Sequence, residues 1–179
     1  METLFSSAEK IRLLEYLLDN PQKEIKTREI ARNLRVSPGF VSKTVSMLKK
    51  NGRVIKNKAD LSNPLNRAIK FFLNIKKIEE MKLLEKIKQL FPGFIGFGIY
   101  GSWSNGTNAS ESDVDIWIKV KEKPKDEKIL ALRRFAREKL GCTANILVLD
   151  DRRAQELKEK DFVFYCSIVN SFLLRGEGF

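Results

Sequence analysis

The sequence predicts an α+β protein in two parts: a basic, mostly helical N-terminal part, followed by a small mixed β-sheet with flanking helices. Three observations carry that reading. Up to residue 51, apolar residues recur at helical spacing between capping and stop signals. From residue 94 onward, apolar runs rich in β-branched and aromatic residues alternate with helical stretches. Residues 1–75 hold 15 Lys/Arg against 7 Asp/Glu, so most of the net charge of +11 lies there.

Composition limits the chemistry. A chain of 179 residues holds one or two domains. With 42% hydrophobic and 32% charged residues it reads as a soluble globular protein with a real core. No apolar run approaches the roughly 20 residues of a membrane helix, and no basic-then-apolar start marks a signal peptide. Two well-separated cysteines, Cys142 and Cys166, point to a reducing cytoplasm rather than a disulfide framework. The lack of histidine excludes histidine triads and Cys/His zinc sites, so any metal must rest on oxygen ligands. The local basic excess suggests a polyanionic partner, most simply nucleic acid, although charge alone also fits plain solubility.

Ser6 or Ser7 caps a first helix through Ala8 to Leu18, with Leu4, Ile11, Leu14, Leu17 and Leu18 on one side and Asn20-Pro21 as its stop. Thr27 caps a shorter helix, Arg28 to Leu34. Ser37-Pro38 then opens a third helix to about Lys50, where Asn51-Gly52 ends it. Arg53 to Lys56 reads as a strand, Asn57 to Asn66 as a polar turn, and Arg67 to Leu73 as a return strand. Residues 1–75 therefore resemble a winged helix-turn-helix domain of the kind found in transcription regulators. The resemblance implies double-stranded DNA as a partner. Ser42, Lys43 and Ser46 would face the major groove, and Arg53, Lys56, Lys58 and Arg67 would meet phosphates. Such domains also serve as protein-interaction modules.

Ile75, Ile78, Met81, Leu84, Ile87 and Leu90 recur about every three residues, which predicts a connecting helix through 74–90, assigned as 76–90 between the domains. Its stripe is open to packing within the chain or to pairing in a homodimer. Phe91-Pro92-Gly93 opens the second domain, 91–179. Phe94 to Tyr100 reads as a buried strand, and Gly101-Ser102 ends it and opens a short helix. A helix follows from Glu127 to Leu140 with Asp126 as its cap, then a strand from Thr143 to Leu149, then a helix starting at Asp150-Asp151. The apolar tail from Phe162 to Leu174 predicts a short helix and an edge strand.

The chemistry gathers around residues 101–118. Glycine lets backbone approach a ligand, and a helix start offers unpaired N–H groups to phosphate. Asp113 and Asp115 stand at i and i+2 on a strand, which points both carboxylates to one face and Val114, Ile116 and Ile118 to the other. Paired carboxylates repel one another unless a cation relieves them, and Mg²⁺ typically binds one or two carboxylates plus phosphate oxygens. Gly101-Ser102, Gly106 and Ser112-Asp113-Val114-Asp115 resemble the Gly-Ser…Gly…Ser-Asp-x-Asp signature of the nucleotidyltransferase superfamily, which includes polymerase beta, CCA-adding enzymes and minimal nucleotidyltransferases.

That resemblance, over roughly the second half of the chain, implies a small mixed-sheet nucleotidyltransferase fold and the transfer of a nucleoside monophosphate from an NTP to an acceptor hydroxyl. Gly101 and Ser102 would hold the triphosphate. Asp113 and Asp115 would be the catalytic, Mg²⁺-holding pair, and Gly106 would serve chain geometry. Two positions depart from the family pattern. Trp103 stands where many minimal members carry arginine, and is equally suited to stack on a base or to pack. Asn145 stands where active members carry a third carboxylate; Asp150 and Asp151 lie just beyond. The expected function is therefore a Mg²⁺-dependent nucleotidyltransferase coupled to a DNA-binding winged helix. The alternative is a winged-helix regulator whose degenerate transferase domain only binds nucleotide. Recruitment of an RNA or protein acceptor by the basic domain ranks below both.

Overall fold

The computed structural model describes residues 6–179, so Leu4 lies outside the described residues. The chain divides into two units, Met1–Leu73 and Asn74–Phe179. In the first, Ser7 accepts the Lys10 N–H at 3.3 Å and starts α1 (Ala8–Asp19). Thr27 is the first residue of α2 (Thr27–Leu34) rather than its cap; Lys26 holds the cap position without a side-chain bond. Ser37 accepts the Phe40 N–H at 3.1 Å and opens α3 (Pro38–Lys50). Leu13, Leu17, Ile30, Val41, Val45 and Leu48 meet in one apolar core, the stabilising return for three amphipathic helices.

The expected long wing is a tight hairpin. Strands β1 (Val54–Ile55) and β2 (Lys58–Ala59) pair antiparallel. Lys56 and Asn57 join them with φ of 47° and 59°, the pair of positive values that two-residue hairpins need. The return strand expected at Arg67 to Leu73 is instead helical, within α4 (Pro64–Glu80). Asn63 Oδ1 accepts the N–H groups of Leu65 and Asn66, at 3.0 and 3.3 Å, and Pro64 follows it directly. That combination starts a helix. Over residues 64–73 the buried residues are Asn66, Ile69, Lys70 and Leu73, a helical spacing that a strand's alternation cannot produce. Lys70 pairs with Asp19, and the Asn66 amide donates to the carbonyls of Arg53 and Asp60, both at 2.8 Å.

The single helix expected over 74–90 is two. α4 ends at Glu80, Lys82 turns left-handed at φ 57°, and α5 (Leu83–Leu90) begins anew. Met81 and Leu83 are both buried, and a straight helix would put residues two apart on nearly opposite sides. The break lets both reach the interior.

The second unit is built on a four-stranded sheet in the order β5 (Ala144–Leu149), β4 (Val114–Val120), β3 (Phe94–Tyr100), β6 (Phe172–Gly176). β3 pairs antiparallel with β4 and β6, while β4 and β5 are parallel. The parallel pair needs a crossover, supplied by α7 (Asp126–Leu140), whose cap position is Lys125 and not Asp126. Asp150 caps α8 (Asp151–Lys160), accepting the Arg153 N–H at 2.8 Å. α9 (Phe162–Val169) and the edge strand β6 complete the tail.

Strand alternation divides the sheet. Ile99, Val114, Ile116, Ile118, Ile146 and Val148 are buried on one face. The other face carries Tyr100, Asp115 and Asn145 in register, and then Trp117 and Leu147 one step further. Trp117, Leu149 and Ile168 form a core there with Tyr100, Leu157 and Phe164 packed against it. Gly98 stands opposite Trp117, and a Cβ at that position would lie 2.7 Å from the indole ring. Only a bare α-carbon leaves room for that ring.

Candidate active site

β3 ends at Tyr100, and Gly101 turns the chain with φ 65° into the five-residue helix α6 (Gly101–Asn105). A side chain is disfavoured there on two grounds. The left-handed backbone suits glycine, and a Cβ would stand 2.5 Å from Oδ2 of Asp115. The Gly101 backbone thus lies directly against a carboxylate of the site, with half-buried Ser102 beside it. Gly106, at φ 69°, ends α6, in keeping with a role in chain geometry.

Asp113 immediately precedes β4, and Asp115 is the strand's second residue. Asp115 pairs in register with Tyr100 on β3 and with Asn145 on β5. The Asn145 amide donates to Oδ1 of Asp115 at 3.0 Å and reaches Oδ2 of Asp113 at 3.5 Å. Both carboxylates therefore converge on one point with an amide between them. Asp113 and Asn145 are exposed and Asp115 is half-buried, so the group opens to solvent. Burial first, and the Asp115 charge second, push the Tyr100 phenol above its ordinary value and keep it protonated. Burial, followed by the Asp113 charge, does the same for the Cys142 thiol.

Trp103 packs: it is 5% exposed, and its indole N–H donates to the Ser112 carbonyl at 3.3 Å, so it offers no free face to a base. Asp150 and Asp151 stand beyond the far end of β5, about 16 Å along the strand from Asn145, and Asp150 is engaged as a helix cap. Neither replaces the third carboxylate. Among the described residues no three His, Cys, Asp or Glu side chains cluster as a metal site. Two carboxylates remain, an oxygen donor pair suited to a hard cation that keeps further ligands from phosphate.

The residues expected at a DNA surface fare unevenly. Ser42, Lys43 and Ser46 are exposed on α3, as are Lys56 and Lys58 on the hairpin. Arg67 is exposed, but on α4 and not on a wing strand. Arg53 is not at the surface. It is 5% exposed and its Nη1 lacks a hydrogen-bond partner, because β1 begins under the α4 start, where Asn66 holds the Arg53 carbonyl. Burial also lowers its pKa. Besides Asn66, two buried amides of the second unit escape the sequence reading, Asn74 and Asn108. Asn74 sits four residues before Ile78 on the apolar stripe of α4, and a polar residue on such a stripe is the signal that would have found it.

No helix among the described residues is long and apolar enough to cross a membrane. No curated protein and no solved structure matches the chain. The family model for the nucleotidyltransferase domain matches residues 80–170, which contain Gly101, Ser102, Asp113, Asp115 and Asn145 and make up just over half of the sequence. The chain belongs to the nucleotidyltransferase domain family.

Proposed function

We propose that this chain is a Mg²⁺-dependent nucleotidyltransferase whose N-terminal unit, read as a winged helix-turn-helix, binds double-stranded DNA. The observation that carries the transferase reading is the convergence of Asp113 and Asp115 beside the Gly101 backbone. In this reading the Gly101-Ser102 backbone and the Ser102 hydroxyl hold the triphosphate, and the two carboxylates hold the cation. Bound there, Mg²⁺ would offset the charge that develops on phosphate oxygens. The acceptor's hydroxyl oxygen attacks the α-phosphorus, and the bond to the pyrophosphate oxygen breaks. Asn145 cannot accept the hydroxyl proton, because an amide nitrogen is a donor and already faces Asp115, so that proton passes to solvent water. Lack of a positioned base costs about 10²–10⁴-fold in rate, so slow transfer is the expected behaviour.

Asn145 also favours a second reading, in which the domain binds Mg²⁺·NTP without transfer and the chain acts as a nucleotide-responsive DNA-binding regulator. Calorimetric titration of Mg²⁺·NTP into wild type and Asp113→Asn, followed by a pyrophosphate-release assay on the same samples, separates the two. Binding and release that both need Asp113 support the transferase. Binding alone supports the regulator, and absence of binding removes both.

A further inference from the structure

The segment between the Gly101 turn and Asp113 is held by a buried amide pair. Asn74, fully buried on α4, donates one N–H to the Trp103 carbonyl at 2.9 Å and the other to Oδ1 of Asn108 at 2.8 Å. Asn108, 1% exposed, returns its own amide toward Oδ1 of Asn74 at 3.4 Å. Trp103 needs that donor. α6 is five residues long, and the N–H groups of Gly106 and Thr107 both turn to the Ser102 carbonyl. The Trp103 carbonyl is thus one of the acceptors a helix end leaves over, and a buried carbonyl without a partner is costly. Further stitches close the loop on itself. The Trp103 indole N–H reaches the Ser112 carbonyl, the Ser112 hydroxyl accepts the Ala109 N–H at 2.9 Å, and the Ser112 N–H reaches the Ala109 carbonyl at 3.1 Å.

Trp103 is two residues after Gly101, and Ser112 is one before Asp113. Pinning the first to the second sets the distance between the Gly101-Ser102 backbone and the carboxylate pair. The amide pair then fixes that closed loop to a helix outside it. We infer that Asn74 and Asn108 are positioning residues for the nucleotide site: through Trp103 and the 106–112 loop they set the placement of Gly101 and Ser102 relative to Asp113. This rests on the reading of the site as a Mg²⁺·NTP site. Neither amide touches the nucleotide; each acts through the loop. Their spacing in sequence, 29 and 34 residues between the bonded groups, explains why no local motif contains them.

The test uses Asn74→Ala and Asn108→Ala in the full chain, with Leu132→Ala, at a fully buried apolar position of α7, as a control that destabilises the same unit without removing a hydrogen bond. The readouts are Mg²⁺·ATP and Mg²⁺·GTP affinity by calorimetry, melting temperature, and hydrogen exchange of residues 101–113. The expected result is a loss of affinity of about 10- to 100-fold in both amide variants, with faster exchange confined to 101–113. Leu132→Ala should lower the melting temperature as much or more and leave affinity within about twofold of wild type. Amide variants that bind like wild type overturn the inference, as does a control that loses affinity in step with its melting temperature. If wild type binds neither nucleotide, the site reading fails instead. Exchange at 101–113 then decides the clamp by itself, and exchange as slow as in wild type overturns it.

Discussion

Asn145 donates its amide to Asp115 at 3.0 Å across a parallel strand pair in which the two residues are register partners. An amide there calms the repulsion between two carboxylates and, by the same bond, leaves the site without a third negative charge. Asn145→Asp should reverse both effects. The variant should melt lower without metal, bind Mg²⁺ more tightly than wild type, and release pyrophosphate about 10²-fold faster or more. Metal-dependent melting curves and a release assay check this; a variant no different from wild type would remove Asn145 from the site.

Asp113→Asn should abolish Mg²⁺-dependent NTP binding while the fold persists. Asp113 is exposed and precedes β4, so the change costs little packing. Calorimetry with and without Mg²⁺ measures it, and binding equal to wild type would sink the metal assignment.

Gly101→Ala should fail twice over. A left-handed alanine costs roughly 1–2 kcal/mol, and its Cβ would displace the Asp115 carboxylate. Denaturant unfolding reads the first effect and Mg²⁺·NTP affinity the second. Loss of affinity larger than the loss of stability is the expected pattern.

Arg53 gives a prediction opposite to that of an exposed basic residue. Replacing a buried, incompletely bonded guanidinium with an apolar chain of similar length is often neutral or stabilising. Arg53→Met should therefore hold or raise the melting temperature and leave the salt dependence of DNA binding unchanged. Lys56→Ala, at the exposed hairpin turn, should reduce the slope of log K against log salt by about one, and Lys43→Ala should weaken duplex binding. Failure of the full chain to bind any duplex at low salt would remove the DNA reading.

The Tyr100 phenol keeps its proton above the ordinary tyrosine range because burial and the Asp115 charge disfavour the phenolate. The unfolded chain loses that proton first as pH rises, so the contribution is complete below about pH 10 and is lost above it. Tyr100→Phe should flatten the alkaline limb of a melting-temperature profile, and a spectroscopic titration should show one tyrosine fewer in the late phase.

Local signals explain what was readable. Ser37-Pro38 and the 94–100 apolar run each determine their element within a few residues, and the structure has α3 and β3 at those positions. The Asp113/Asp115 spacing and the candidate Asn145 position were legible because strand alternation has a fixed period. The Arg67 to Leu73 stretch was not. Its apolar residues suggested a strand, while the deciding information lay in the Asn63 cap and in the burial of Asn66 and Lys70, polar residues that a hydrophobic pattern discounts. Arg53 was misplaced for a related reason: its carbonyl partner, Asn66, is 13 residues away.

Gly98 and Trp117 share one volume, with the ring lying where a side chain on residue 98 would have to go. A change at 98 drives the indole out of the core beside Leu149 and Ile168. A smaller residue at 117 gives no relief, because the Phe172 carbonyl oxygen would still stand 2.4 Å from a Cβ at 98. Among descendants of this chain the glycine at 98 should therefore persist whatever stands at 117.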